Sequence, residues 1–302
     1  MKFCINIVLV SILYCGITCT VSAQNSQSQR RHNYLLNQQN RNVSARLVQL
    51  GNIGFYNMSL GAGDTSSEEQ PIINAGFTPV QIFNLSQAEL ANLDVLFVYN
   101  PDNFGYGSEY LAQLTVIQDA VANGMVLIIH DRFVNGASSI LPDGAGVIAL
   151  RDFSDESNID IVDDTTLLTS GLDNTSLDGG SSSSHGYVES SSLPPGGITI
   201  LSRTDPTEAV TFTYQFGSGD VIYSTIPLDF YLSGDSGIVA LEAVMASYAS
   251  NTVEYALALF EEENTISIPT MGEWGLIFLS ILLLIFGTTC IREVIKADLE
   301  VS

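Results

Sequence analysis

The sequence predicts an α/β domain, a three-layer fold built on a mostly parallel sheet, followed by a C-terminal transmembrane helix. Three observations carry this expectation. Short β-type runs alternate with helix-type runs through the first half of the chain, with brief links between them, the pattern of a parallel sheet with crossover helices. Two of those runs, Asp94-Val95-Leu96-Phe97-Val98-Tyr99 and Met125-Val126-Leu127-Ile128-Ile129, are almost continuously apolar, as strands covered on both faces are. A separate apolar run, residues 276–291, stands near the C-terminus.

The ends come off before the fold is counted. Lys2, an apolar run through Leu13 and Tyr14, and the small residues Val21-Ser22-Ala23 read as a signal peptide over 1–23. Residues 24–44 are rich in Gln, Asn, Ser and Arg and form a flexible lead-in. Cys4, Cys15 and Cys19 fall in the signal peptide and Cys290 in the terminal apolar run. The domain over 45–262 therefore has no disulfide, no cysteine nucleophile and no thiolate ligand, and rests on its hydrophobic core. About 220 residues suffice for one such core.

Within the domain, Arg46-Leu47-Val48-Gln49-Leu50 reads as the first strand and Gly51-Asn52-Ile53-Gly54 as the turn after it. Ser66-Ser67-Glu68-Glu69 reads as an N-cap with an acidic first turn, opening a helix that stops at Gly76. Residues 79–83 form a short strand. Residues 86–93 form a short helix, with Ser86 and Glu89 as a capping pair. Residues 108–123 form the longest helix of this half, with Leu111, Leu114, Ile117 and Val121 at helical spacing and Gly124 as its stop. Short strands are expected at 146–150 and 160–162, a long Ser/Gly-rich loop over 170–197, and strands at 198–202, 209–216 and 221–225. Gly217-Ser218-Gly219-Asp220 is the hairpin turn, and a helix over 236–260 packs on the sheet.

Charge limits the function. The chain carries 10 basic and 33 acidic residues, net −23, with no lysine between Lys2 and Lys296. A phosphate backbone needs clustered cations, so nucleic acid is not expected as a partner. In an open parallel sheet, ligands sit beyond the carboxyl ends of the strands. The candidates there are Asn52, Asn100, Asp102, Asp229 and Tyr231 as a ligand cleft, with His130 and Asp131 as an acid–base pair. Asp152, Asp155 and Glu156 offer oxygen ligands for calcium, yet their spacing does not fit a calcium loop. No cofactor is expected, since Gly51 and Gly54 lack the third glycine and acidic residue of a dinucleotide turn.

After Glu261-Glu262-Glu263-Asn264 comes Ile268-Pro269-Thr270-Met271-Gly272-Glu273-Trp274-Gly275, then the apolar run, then Arg292 and Lys296. Ten Leu, Ile or Phe residues lie within 276–286, and together they favour membrane insertion by roughly −5 kcal/mol. A transmembrane helix over about 275–291 follows, with Trp274 at the interface and the basic residues on the cytoplasmic side. On Ile268, Pro269, Thr270, Glu273, Trp274 and Gly275, this segment (263–302) resembles the IPTL-type C-terminal sorting domain of Gram-negative bacteria. The tail departs from that pattern in its length and in Glu293, Asp298 and Glu300. The resemblance implies a membrane protease or sorting system as partner, with surface or membrane placement.

The strand and helix order over roughly 45–250, with its late Gly217-to-Ser224 turn and strand, resembles the class I glutamine amidotransferase-like fold, itself flavodoxin-like in plan. That family's catalytic cysteine elbow and His-x-Glu have no counterpart here. A non-catalytic binding or structural module, meeting envelope glycan or protein, is therefore expected. The competing reading is a hydrolase using His130 and Asp131.

Overall fold

The structure is a computed structural model and describes residues 51–58 and 67–264. The expected signal peptide and lead-in, the strand expected at 46–50, Ser66 of the expected cap and the expected sorting segment from 265 lie outside the described residues. Among the described residues no helix is long and apolar enough to cross a membrane.

Ten strands join one sheet. They are β1 (Ile53–Asn57), β2 (Pro79–Gln81), β3 (Val95–Asn100), β4 (Val126–Asp131), β5 (Ala149–Arg151), β6 (Asp160–Ile161), β7 (Gly186–Glu189), β8 (Ile198–Ser202), β9 (Glu208–Phe216) and β10 (Gly219–Ser224). The parallel half runs β2-β1-β3-β4-β10, a flavodoxin-like order in which β10 takes the fifth place. From β10 the sheet continues antiparallel through β9 to β7 and β5, with β8 and β6 branching from β9. The sheet is thus mixed, and the antiparallel part is larger than the single pair expected. Strand β7 lies inside the stretch expected to be loop, because Tyr187 and Val188 are too short a run to stand out among its serines and glycines.

Helices α1 (Gln70–Asn74), α5 (Leu228–Leu232) and α6 (Val239–Asn264) lie on one face. There Ile72, Leu228, Tyr231, Met245, Tyr248 and Val253 pack on Ile53, Phe97, Val126, Ile128 and Ile222. Helices α2 (Gln87–Leu90), α3 (Ser108–Ala112) and α4 (Leu114–Ala122) cover the other, with Leu90, Tyr110, Ile117 and Val121 on Leu96, Val98, Leu127 and Ile129. This is the expected three-layer plan.

Two elements differ from the sequence reading for identifiable reasons. The first described strand occupies 53–57, where a glycine turn was expected. Gly54 serves close packing there: a Cβ would lie 2.6 Å from Leu93 Cδ1 and 2.8 Å from Ile82 Cγ1, so only glycine lets these neighbours approach β1. The helix expected over 108–123 breaks at Gln113 (φ −100°, ψ 7°). The break turns Tyr110 inward, its hydroxyl donating to the Ile140 carbonyl at 3.1 Å, and leaves Leu111 exposed.

The hairpin that joins β9 to β10 is as expected in type, with Asp220 already inside β10. Gly217 has φ +65°, which suits the first position of a two-residue hairpin turn. A Cβ on Gly219 would lie 2.3 Å from both the Met125 and Val121 carbonyl oxygens. Gly219→Val is expected to destabilise the domain by about 1–3 kcal/mol or more; an unchanged thermal unfolding midpoint would contradict this packing.

Candidate functional site

The carboxyl ends of β3, β4 and β10 gather most of the polar residues of interest. Successive side chains on a strand face opposite sides of the sheet, and this rule separates His130 from Asp131. His130 points to the α6 face, with ring centroids 5.4 Å from Phe97, 6.0 Å from Tyr99 and 5.9 Å from Tyr248. Asp131 points to the other face, into contact with Tyr106 and Tyr223. They do not form the acid–base pair expected from their adjacency in sequence.

Asp131 is fully buried. Its Oδ1 accepts from Asn100 Nδ2 at 2.9 Å and the Phe133 N–H at 2.9 Å. Its Oδ2 accepts from Tyr106 Oη and Tyr223 Oη, both at 2.8 Å. Burial raises the carboxyl pKa, and Asn100, Tyr223 and Tyr106 only partly oppose it. Such a saturated carboxylate is a structural clamp.

Burial also pushes the His130 pKa down to about 3, although the Ile226 carbonyl lies near enough to favour the charged ring slightly. Neither ring nitrogen meets a partner in hydrogen-bond geometry, and the buried Tyr99 hydroxyl is likewise unpartnered. Beside them Tyr248, Thr211 and Ser224 form their own triangle at 2.8–3.1 Å.

The remaining expected cleft residues disperse. Asn52 precedes β1 and so lies at the amino end of the sheet, where its N–H donates to Asp94 Oδ2 at 2.8 Å. It lies there because β1 starts after it, at Ile53. Asn57 instead ends β1 and is buried against Glu68. Asn100 is buried and pins the following loop through the Gly105 carbonyl at 3.1 Å. Asp102 is exposed, its Oδ1 accepting the Phe104 N–H at 2.8 Å. Tyr231 is buried beneath Gly180, where a Cβ would lie 2.2 Å from its hydroxyl. Asp229 is paired with Arg132 at 2.6 Å, and burial raises its pKa against the pull of that arginine.

The calcium candidates serve their own loops. Asp152 Oδ1 accepts the Ser154 N–H at 2.7 Å, and Asp155 takes Asn158 and the Thr204 N–H. Glu156 contributes its backbone carbonyl to Ser184 N–H at 3.0 Å. Among the described residues no cluster of three or more His, Cys, Asp or Glu side chains could hold a metal ion.

A group missed in sequence does converge. Between Arg46 and Arg292 the only basic residues are Arg132, Arg151 and Arg203, a scarcity that was the available signal. Arg203 is fully buried, its Nε donating to Ser184 Oγ at 3.1 Å and its guanidinium over the Tyr187 ring. Arg132 and Arg151 are only partly covered. Arg151 donates to Asn103 O and Oδ1, both at 2.6 Å, and lies 5.1 Å from the Phe153 centroid. Arg132 lies 5.5 Å from the Phe230 centroid. His185 bridges the two: its Nδ1 is 2.8 Å from the Arg132 carbonyl and its ring packs edge-on against Phe153 at 5.4 Å. Because a carbonyl only accepts, Nδ1 carries the proton and Nε2 the lone pair. Burial, then the two nearby arginines, push the His185 pKa down to about 4, with the Arg132 carbonyl opposing.

The loop leaving β4 is strained. Val134, a β-branched residue, has φ +63°, and Asn135 N–H donates to the Phe133 carbonyl at 2.7 Å across it. This γ-turn with a left-handed centre costs on the order of 1–3 kcal/mol. It is held by Asp131, by burial of Val134 and by Asn135 Oδ1, which accepts the Arg151 N–H at 3.0 Å.

Comparison with known proteins addresses the C-terminal end. Residues 266–287 match the IPTL-CTERM motif. It is a C-terminal sorting signal, consistent with export and with surface or membrane association, and it contains the expected signature from Ile268 to Gly275. No curated protein matches the chain. Among solved structures, a cytoplasmic protein of Salmonella typhimurium is similar at TM-score 0.48 and 12% identity, over 68% of this chain and 98% of that one. A glutamine amidotransferase of Thermotoga maritima is similar at TM-score 0.40 and 10% identity, over 71% and 98%. An exo-β-1,4-mannosidase of an Opitutaceae bacterium reaches 0.43 and 12%, over 70% of this chain and 37% of that one. None of these likenesses carries an argument about activity.

The buried histidine makes a pH prediction. Below about pH 6.5 the unfolded chain binds a proton on His130 that the folded chain refuses until about pH 3. Stability due to this ring therefore falls as pH drops through that window, by up to about 1.4 kcal/mol per unit. Denaturant unfolding at pH 7, 6 and 5 should show a shallower loss for His130→Leu than for the wild type. Parallel slopes would mean that the ring is charged or solvated.

Proposed function

We propose that the chain is an exported bacterial protein, anchored by or sorted through its C-terminal segment, whose α/β domain is a binding module. In this reading 1–23 is the signal peptide, 24–44 a lead-in, 45–262 the extracytoplasmic domain, and 263–302 the sorting segment with its transmembrane helix at 275–291. A membrane protease that reads Ile268 to Gly275 is its processing partner, and envelope glycan or protein its target.

The observation that carries the binding reading is the state of the strand-end acid–base groups. Asp131 is saturated by four donors, and His130 is buried among aromatic rings on the opposite face. General acid–base catalysis needs a group within reach of substrate and a pKa near the working pH, and neither residue offers both. The partly exposed polar groups around Arg132 and Arg151 suit recognition instead.

Fractionation of cells expressing the full chain and a chain lacking 266–302 tests the placement. The full chain is expected in the membrane or at the surface, and the truncated one free in the extracytoplasmic fraction. Equal membrane retention of both would remove the anchoring role.

A further inference from the structure

We infer that Arg132, Arg151, Phe153 and His185, gathered beside the loops that leave β3 and β4, bind a short glycan through a single sugar carboxylate, as in a uronic acid. The inference rests on the binding reading above and names the ligand class.

Each part of this group asks for a different part of such a ligand. Arg132 and Arg151 are both partly exposed and are linked through His185, which bonds the Arg132 carbonyl and packs on the Phe153 ring that Arg151 covers. Burial, and then the charge of Arg132, lower the Arg151 pKa, so an anion beside them relieves repulsion. Arg151 meets only the neutral oxygens of Asn103, which use two of its five N–H donors. Arg132 has one carboxylate neighbour, Asp229, and its buried Nε–H has no acceptor. A planar fork of this kind pairs with a carboxylate in two-point fashion.

His185 asks for something else. With its proton fixed on Nδ1 by the Arg132 carbonyl, its Nε2 is an acceptor at neutral pH. An acceptor repels a carboxylate and takes a hydroxyl, so the ligand carries hydroxyl groups beside its acid. The apolar face of a sugar ring then has Phe153, 47% exposed, and Phe104, 90% exposed on the loop that Asn103 ties to Arg151. Exposed aromatic rings on the loops that carry these groups are a stacking surface.

Net charge sets the ligand's size. A chain at −23 repels a long polyanion over most of its surface, whereas one carboxylate on an otherwise neutral oligosaccharide meets the arginines without that penalty. The strained turn at Val134 lies in the same loop as Arg132, and such strain is retained where it fixes a binding geometry.

The test uses the purified full chain in detergent, with a glucuronic-acid-terminated oligosaccharide, its glucose-terminated match, and an acidic dipeptide as probes. The uronate should bind roughly ten-fold or more tightly than the glucose match. Binding should weaken as salt rises, and Arg151→Gln should bring the two sugars to equal affinity. Phe104→Ala, at a surface position outside the core, should weaken both sugars together and guards against misfolding of the arginine variant. Equal affinity of the wild type for the two sugars would overturn the carboxylate assignment while leaving glycan binding in place. Binding of the dipeptide alone would overturn the sugar assignment. No binding of any probe would overturn this inference, whereas failure of the binding reading itself would show as silence across envelope polysaccharides and proteins as well.

Discussion

A carboxylate with no solvent around it, Asp131, holds the working end of this domain together. Taking an ionised carboxylate out of water costs several kcal/mol unless its lone pairs are filled, and here four donors fill them. The donors come from β3 (Asn100), the loop after β3 (Tyr106), the loop after β4 (Phe133 N–H) and β10 (Tyr223). The clamp therefore ties the carboxyl ends of three parallel strands to the two loops that follow β3 and β4. The same loops carry Asn103, Arg132 and the strained turn at Val134, so the placement of these residues depends on a fully buried carboxylate.

The opposite face of the same strand ends is built on different terms. His130 is packed between rings with its nitrogens unpartnered, and Tyr99 beside it leaves its hydroxyl without an acceptor. One face is satisfied and rigid. The other keeps unsatisfied polar atoms beneath α6, a local cost that hydrophobic packing of Met245, Tyr248 and Val253 offsets.

The distribution of charge follows from scarcity. In a chain with so many carboxylates, several acidic side chains in the described loops serve backbone turns, as Asp102, Asp152, Asp173 and Asp205 do. The three arginines among the described residues each meet an aromatic ring, Arg132 with Phe230, Arg151 with Phe153 and Arg203 with Tyr187. Such cation–π contacts orient a guanidinium without neutralising it; Arg132 also pairs with Asp229, whereas Arg151 bonds only neutral oxygens.

Sequence alone gives the α/β class, the buried apolar runs at 94–99 and 125–129, the late hairpin and the sorting signature. These are local signals: apolar runs, turn glycines and a contiguous motif read the same in any context. It put His130 and Asp131 just beyond a strand that in fact includes them as its last two residues. Only the tertiary structure decided what those residues do. Whether Gly54 marks a turn or a close contact depends on Leu93 and Ile82, distant in sequence. Adjacent strand residues face opposite sides, so His130 and Asp131 part company once the sheet is covered on both faces. Arg132, Arg151 and His185 meet because β4, β5 and the loop before β7 converge, and that convergence is a long-range pairing no local pattern encodes.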